Sequence, residues 1–303
     1  MTADSLDAVA ETADRLSALL AAGLPPSAAW QHLADGQASP LLTAAARAAG
    51  AGEPVAPALV AGSSAAPEEA RAAWRALAAG VAVADRTGAP LADVLEQLAV
   101  TLRDLQGAER DVRAALTGPR MSGRLVLALP AVGVAFGLGL GFDPLGVLLG
   151  TPLGLACAAA GAVLYLAGWG WTRRLVRRAR PSSDLPGLEA ELVAVALAAG
   201  LPVSAARALV RDLAAACGVA LRDGPDIDRS AALATSAGVP VASLLRSEAR
   251  HRRRRAASDA RIRAEALAVT LLLPLGVCLL PSFMLLSVAP LLLSIVSSTA
   301  LPL

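Results

Sequence analysis

A nine-residue motif occurs twice in this chain: residues 21–29 are AAGLPPSAA and residues 198–206 are AAGLPVSAA. Eight of the nine positions are identical, and Gly-Leu-Pro and Ser keep their register, which alanine richness alone does not produce. Glycine commonly follows the end of a helix, and proline is favoured in the first helical turn. The motif therefore predicts a helical hairpin in each half of the chain.

Amphipathic helices are expected before both copies of the motif. Apolar residues recur every three or four positions from Leu6 to Leu20 and again from Leu185 to Val195, which is the period of one helix face. Charged residues fall between them. We therefore predict that the carboxylates of these helices lie on solvated faces.

A second element also recurs. Residues 83–95 are VADRTGAPLADVL and residues 233–245 are LATSAGVPVASLL, so each half has a Gly-Pro turn that leads into another helix. The helix after the first turn keeps its apolar period almost to residue 124, and the helix after the second continues into an apolar stretch. Each half is thus predicted to contain a hairpin, a turn and a long helix.

Composition indicates a helical membrane protein. Of the 303 residues 55% are hydrophobic and only 17% are charged, with a mean hydropathy of +0.58. A soluble domain carries about 25% charged residues, so the apolar excess must lie out of water. Aromatic residues make up 3%, and the abundance of Ala and Leu favours helices over strands.

Three stretches are predicted to cross the membrane: residues 124–142, 145–171 and 264–290. Each approaches or exceeds the roughly 20 residues that a helical span needs. The remaining apolar tail, residues 291–303, is too short for another span and is expected outside the cytoplasm.

Arginines give the orientation. They flank the first span before its start, the second after its end and the third before its start, so all three clusters fall on one side. Basic residues concentrate in the cytoplasm. We therefore expect a multi-pass protein of the cell membrane with a cytoplasmic N-terminus and an extracytoplasmic C-terminus. The predicted fold class is all-α, with three transmembrane helices and two repeated cytoplasmic helical-bundle domains at residues 1–123 and 172–263.

The arginine runs allow two interpretations that can coexist. They can bind anionic lipid headgroups at the membrane edge, each contributing about 1 kcal/mol, or they can contact an acidic protein partner. Direct nucleic-acid binding is not expected, because no aromatic residues for base stacking lie within the runs, and the neighbouring Trp169 and Trp171 are assigned to the membrane interface. The candidate contact residues are Arg173, Arg174, Arg177, Arg178, Arg252, Arg253, Arg254 and Arg255.

Small residues and prolines mark candidate packing positions inside the spans. Gly133, Gly137 and Gly141 form a GxxxGxxxG stripe that suits close helix packing. Pro274 and Pro281 lie seven residues apart in the third span, where each removes a backbone hydrogen bond and bends the helix. Contacts within the protein or between subunits are favoured over contact with a substrate helix.

No catalytic constellation is evident, and we expect neither an enzyme nor a bound cofactor or metal. The chain contains no lysine, which excludes a Walker A phosphate loop and Schiff-base chemistry. Its three cysteines show no CxxC spacing. A small transporter or channel component is the alternative, but past their ends the predicted spans contain none of the Asp, Glu, Arg or Lys residues that usually mark a transport path.

Taken in order, the motifs resemble those of the type II secretion system F family, in particular the branch from tight-adherence (Flp) pilus systems. The resemblance rests on the two hairpin motifs, the RTGAPLADVLEQLA helix start, the GFDPLGVLLGTPLG junction at residues 141–154, and the run from Leu272 to Phe283. Short cytoplasmic domains favour the pilus branch.

This resemblance implies a non-catalytic inner-membrane platform. Its implied partners are a hexameric secretion or pilus ATPase, pilins, and a second F-family protein or another copy of this chain. The platform would couple the ATPase to the assembly of pilins into a filament.

Overall fold

The computed structural model describes residues 6–37, 39–139, 144–178, 185–221, 226–290 and 292. All regular secondary structure within these ranges is helical, which confirms the all-α class. The helices before residue 140 are α1 (Leu6–Ala21), α2 (Pro26–Gly36), α3 (Pro40–Gly50), α4 (Val55–Ser63), α5 (Glu68–Thr87) and α6 (Leu91–Gly139).

The rest of the chain continues the helical pattern. Two helices follow residue 143, namely α7 (Pro144–Gly150) and α8 (Pro152–Arg178). The later α-helices are α9 (Leu188–Ala198), α10 (Val203–Ala216), α11 (Asp226–Ala237), α12 (Val241–Thr270), α13 (Leu272–Pro274) and α14 (Leu280–Phe283). Two π-helical segments, π1 (Leu275–Leu279) and π2 (Met284–Val288), accompany α14.

Both predicted hairpins are present. The repeated Gly-Leu-Pro sequence joins α1 to α2 and α9 to α10, and its glycines adopt nearly the same left-handed conformation, with φ of 90° at Gly23 and 95° at Gly200. The second repeated turn shows the same agreement. Gly88 and Gly238 have φ of 71° and 66° between the paired helices α5–α6 and α11–α12. Corresponding glycines of the two halves thus have nearly the same φ.

The chain divides into two compact units. Unit 1 comprises residues 1–109 and 182–258, and it has a continuous hydrophobic core to which both halves contribute. The helices of the two predicted cytoplasmic domains therefore share one core, which the sequence did not reveal. The largest fully buried side chains are Trp30, Trp74, Leu16, Leu42, Leu59, Leu77, Leu95, Leu98, Leu102, Leu188, Leu192 and Ile227.

Unit 2 comprises residues 110–181 and 259–303, and its described part is organised around α8. Gly161 lies against Leu286, and Gly168 lies against Cys278 and Leu279. Positions with higher numbers on α8 thus meet positions with lower numbers on the partner segment, so the two run antiparallel.

Two further contacts join α8 to that segment. The Ser282 hydroxyl donates a hydrogen bond of 2.9 Å to the carbonyl oxygen of Gly161, and it is buried. At the other end, Leu175 and Val176 pack against an apolar cluster on α12 and the residue after it. Small residues permit this close approach, as they do generally between membrane helices. The α12 cluster comprises Ala260, Ala264, Leu267 and Leu271.

The predicted second span, residues 145–171, is not one continuous helix. It is interrupted at Thr151, where the hydroxyl oxygen accepts a hydrogen bond of 3.0 Å from the Gly154 amide and caps α8. Pro152 has no amide hydrogen to continue α7, so it begins a new helix instead.

Two helical stretches of the described residues are long and apolar enough to cross a membrane, Pro152–Arg177 and Val241–Val288. The predicted first span, residues 124–142, is helical in α6 up to Gly139, but it is not one of these two. Most of its side chains lie outside the described part of the structure. The loop at Asp143 and almost all of the tail after Pro290 also lie outside it.

Gly187 provides a test of how α9 begins. Its φ is 83°, and a Cβ added there would lie 2.8 Å from the carbonyl oxygen of Ala249 and 2.9 Å from its Cα atom. Backbone atoms cannot move aside as a flexible side chain can. We therefore expect Gly187→Ala to lower the free energy of unfolding by about 2 kcal/mol more than Gly200→Ala, as in other overpacked cores.

Gly200 is a matched control because it also has positive φ, whereas no atom would lie within 4 Å of its added Cβ. Chemical denaturation of the purified full chain measures both losses. Equal losses would show that α9 does not begin against α12 as described.

Candidate functional site

Helix α9 carries two carboxylates into the core of unit 1. Its residues from Leu188 to Ala196 are all buried, including Glu189 and Glu191. The sequence predicted a solvated face here, and that prediction is wrong for these two residues. The cause is tertiary, because α9 packs against both α10 and α5 and is left without a free face.

Glu189 is neutralised by arginines of the adjacent helix α10. Arg211 donates from Nε to the Glu189 Oε1 atom at 3.3 Å, and the Nε atom of Arg207 lies 3.6 Å from the same oxygen. Arg207 also donates from Nη1 to the Oδ2 atom of Asp228 on α11, at 2.7 Å. These contacts tie three consecutive helices of the second half together.

Glu191 is paired with arginines of the long helix α12. Nη1 of Arg253 donates to its Oε2 atom at 3.5 Å, and Nε of Arg246 lies 3.9 Å from its Oε1 atom. The side chains of Glu191 and Arg253 are only 2% and 4% exposed. A buried ion pair of this kind matters because removing one partner leaves an uncompensated charge.

A third helix joins this pair. Nε of Arg253 donates to the Oδ2 atom of Asp104 on α6, at 3.2 Å. The side chain of Asp104 is 51% exposed, so this contact is open to solvent at its acidic end. We refer to Asp104, Arg253 and Glu191 as the α6–α12 ion-pair cluster.

Burial raises the pKa of Glu191 above its ordinary value, and the neighbouring arginines, Arg253 foremost, oppose that rise. Desolvation of the carboxylate is the larger effect. The protonated form is therefore favoured in the folded protein relative to the unfolded chain.

A related ion pair occurs in the first half. Arg103 on α6 bonds to Asp14 on α1. Aligning the hairpin motifs places Asp14 opposite Glu191, and aligning the second elements along their helices places Arg103 opposite Arg253. The two pairs thus join corresponding helices, yet Asp14 and Arg103 are 37% and 52% exposed.

At the end of α8, aromatic and basic side chains occur together. The guanidinium carbon of Arg173 lies 3.8 Å from the centroid of the Trp169 ring, a cation–π contact. Trp169 and Trp171 remain about two-fifths exposed, at 40% and 41%. Tryptophan favours membrane–water interfaces, so this helix end has the composition of an interfacial anchor.

The predicted arginine surface is only partly realised. Arg173, Arg174 and Arg177 on α8 are exposed, as are Arg254 and Arg255 on α12. Arg252 is half-buried and donates to Glu248 at 3.1 Å. Arg253 was expected on this surface but is buried in the ion-pair cluster, because it projects from α12 toward α9 and α6. The side chain of Arg178 lies outside the described part.

The predicted packing positions in the spans also have different outcomes. Pro274 is buried directly before π1, and Pro281 is half-buried within α14, between the two π-helical segments. The predicted bends thus coincide with widened turns, which often accompany interruptions of the helical hydrogen-bond ladder. Gly133 and Gly137 lie in α6, but their packing is not described, and Gly141 lies outside the described residues.

The apolar period of α9 did not identify Glu189 and Glu191 as buried residues. One feature of the sequence could have identified Glu191. Extending the hairpin alignment places it opposite Asp14, and the arginines that pair with these two residues also correspond. Charges that correspond in two copies of a repeat are candidates for a shared structural role.

Residues 12–139 match the family model described as type II secretion system (T2SS), protein F. The match begins in α1, includes the first hairpin and the second repeated turn, and ends with α6. This match supports membership of the type II secretion system F family. No curated protein and no solved structure matches this chain.

The family match suggests a general function. Type II secretion system F proteins are structural platform proteins of the inner membrane in secretion and pilus systems, and they generally interact with secretion ATPases and other platform components. Among the described residues, no group of three or more His, Cys, Asp or Glu side chains could hold a metal ion. The candidate site that the described residues form is a set of ion pairs around α9.

The raised pKa of Glu191 predicts a pH dependence of stability. A carboxyl group whose pKa is raised on folding contributes stability below its unfolded value, about 4.3, and loses that contribution as the pH rises through its folded value. Thermal unfolding of wild type and Glu191→Gln should therefore be compared from pH 4 upward. We expect the stability of wild type relative to the variant to fall as the pH rises.

Glu53→Gln serves as the control, since Glu53 is exposed and its substitution reports the effect of removing a surface charge. Parallel pH profiles for wild type and Glu191→Gln would contradict the assignment of Glu191 as a desolvated carboxylate.

Proposed function

We propose that this F protein is the inner-membrane platform of a Flp/Tad-like type IV pilus, or of a type II secretion-like machine, and that it couples a cytoplasmic ATPase to pilin assembly. The observation that carries this proposal is the F-family match over α1–α6, a region that includes much of unit 1 and one of its two long helices. The proposed role of the platform is to transmit force.

The architecture is suited to such a role. α6 has 49 residues and α12 has 30, and each contributes to unit 1 at one end and to unit 2 at the other. A continuous helix is stiff, so movement at one end is carried along it. In this proposal the ATPase acts on unit 1, and the long helices carry the movement into the membrane.

The proposed topology has three spans, at residues 124–142, 145–171 and 264–290. Both chain segments that form unit 1, residues 1–109 and 182–258, lie on the cytoplasmic side. The antiparallel contacts between α8 and the segment from Ala260 to Leu286 support this arrangement. In the proposed topology, the end of α8 and the start of the third span lie on the same side of the membrane. That side carries the arginines.

Anionic lipids are proposed partners at this edge. Arg173, Arg174 and Arg177 are exposed next to the interfacial tryptophans of α8. Arginine attracts acidic headgroups and tryptophan favours the same depth, so the combination suits a headgroup layer. Arg254 and Arg255 are available either for lipid or for an acidic partner protein.

The repeat supports a proposed duplication. Corresponding hairpins, turns, long helices and ion pairs occur in both halves, while α3 and α4 are additional elements of the first half. We propose that each half is one copy of an ancestral unit that leads into the membrane. The other proposed protein partners are pilins and a second F-family protein or another copy of this chain.

Purification of the tagged full chain from cross-linked native membranes tests the proposed function. We expect the co-purifying proteins, identified by mass spectrometry, to include a hexameric ATPase and a second F-family protein. An unrelated multi-pass protein with the same tag is the control. Reproducible absence of the ATPase from an intact membrane complex would contradict the proposal and would favour the transporter alternative.

Reporter fusions test the proposed topology independently. A reporter inserted at Gly141 and one placed after Leu303 should both report the extracytoplasmic side, and one at the N-terminus should report the cytoplasm. A cytoplasmic signal at either Gly141 or Leu303 would overturn the three-span arrangement.

A further inference from the structure

The two long helices, α6 and α12, leave the hydrophobic core of unit 1 several residues before the unit ends. The hydrophobic core of this unit extends to Leu102 on α6 and to Ala249 on α12. Unit 1 itself continues to residue 109 on the first helix and to residue 258 on the second. Beyond the core, polar contacts take over the attachment.

One of these polar contacts joins the two long helices directly. Asp104 and Arg253 form an ion pair with 3.2 Å between Oδ2 and Nε. Asp104 is the second residue after Leu102, and Arg253 is the fourth after Ala249. The ion pair therefore lies just past the last core layer, where α6 and α12 continue as uninterrupted helices.

The two ion pairs of Arg253, with Glu191 and with Asp104, differ in how deeply they are buried. Toward Glu191 the pair is almost completely buried, and opening it would leave charges in the core without compensation. Toward Asp104 the carboxylate is half-exposed and can be hydrated as soon as it leaves. Exposed ion pairs are weak and are screened by salt, whereas buried pairs are much less affected.

We propose that the Asp104–Arg253 ion pair is a releasable contact that controls the separation of α6 from α12, while Arg253 stays bound to Glu191. Opening it removes this contact between the two helices just beyond the core and leaves the core intact. Farther along the helices, Asp111 on α6 and Arg261 on α12 still attract each other. The fold thus contains a defined point at which the long helices can move apart. This inference does not depend on the identity of the filament or the ATPase.

The first half offers a matched control for this contact. Asp14 pairs with Arg103, the residue next to Asp104, and it is also partly exposed. That pair joins α6 to α1 and does not involve α12. Asp14→Asn therefore removes a comparable carboxylate that pairs with the same stretch of α6, without touching the proposed contact.

Hydrogen–deuterium exchange of the full chain in lipid nanodiscs tests the proposal. In Asp104→Asn, we expect amides of residues 250–258 on α12 to exchange about tenfold faster than in wild type, the effect of losing one charged hydrogen bond. Peptides from α9 should keep wild-type exchange, because Glu191 and Arg253 remain paired. Asp104→Glu should restore slow exchange.

Each alternative result has a defined meaning. Exchange on α12 within twofold of wild type in Asp104→Asn would overturn the proposal, and so would an equal increase in Asp14→Asn. Faster exchange in α9 would also overturn it, because Asp104 would then support the whole core and not a local contact.

The response to salt provides a second measurement. Raising the ionic strength from about 0.05 M to 0.5 M should accelerate exchange on α12 in wild type, because the exposed end of the ion pair is screened. The same change should have little effect in Asp104→Asn, which has already lost the contact. An equal response in both proteins would contradict the inference.

Discussion

A buried carboxylate must be compensated by a cation, and α9 places two carboxylates inside the core of unit 1. This requirement explains why arginines from α10 and α12 point inward. Glu189 attracts Arg207 and Arg211, and Glu191 attracts Arg246 and Arg253. The apolar residues of α9 favour its burial but do not select its neighbours, since hydrophobic contact is non-directional and tolerates many arrangements of helices. The ion pairs specify which helices lie next to α9.

The same cluster also explains how two halves of one chain form a single unit. Arg253 belongs to the second half, and it contacts Glu191 of that half and Asp104 of the first. In the first half the corresponding pair, Asp14 and Arg103, remains near the surface. Corresponding residues thus have different environments, because every residue from Leu188 to Ala196 on α9 is buried, whereas α1 keeps a face with exposed residues. A repeated local structure has become asymmetric in its packing.

Packing in unit 2 depends on a different constraint. Here Gly161 and Gly168 of α8 allow the segment from Cys278 to Leu286 to pack closely against this helix. The Ser282 hydroxyl of that segment donates a hydrogen bond to the carbonyl oxygen of Gly161. Apolar surroundings give no preference between one apolar face and another, so shape and hydrogen bonding must decide the interface. Ion pairs thus supplement the hydrophobic core of unit 1, whereas close backbone approach joins the described helices of unit 2.

The sequence by itself determined the helical class, the two hairpins, both Gly-Pro turns and the two long helices. These features are local, since a positive φ at glycine, a proline at a helix start and a period of 3.6 residues need no distant partner. It also led to the resemblance that the family match confirms. Tertiary structure alone decided that α9 has no solvated face, that Arg253 leaves the predicted arginine surface, and that both halves share one core. Those outcomes depend on which helices surround a residue, and the pattern within a single helix does not contain that information.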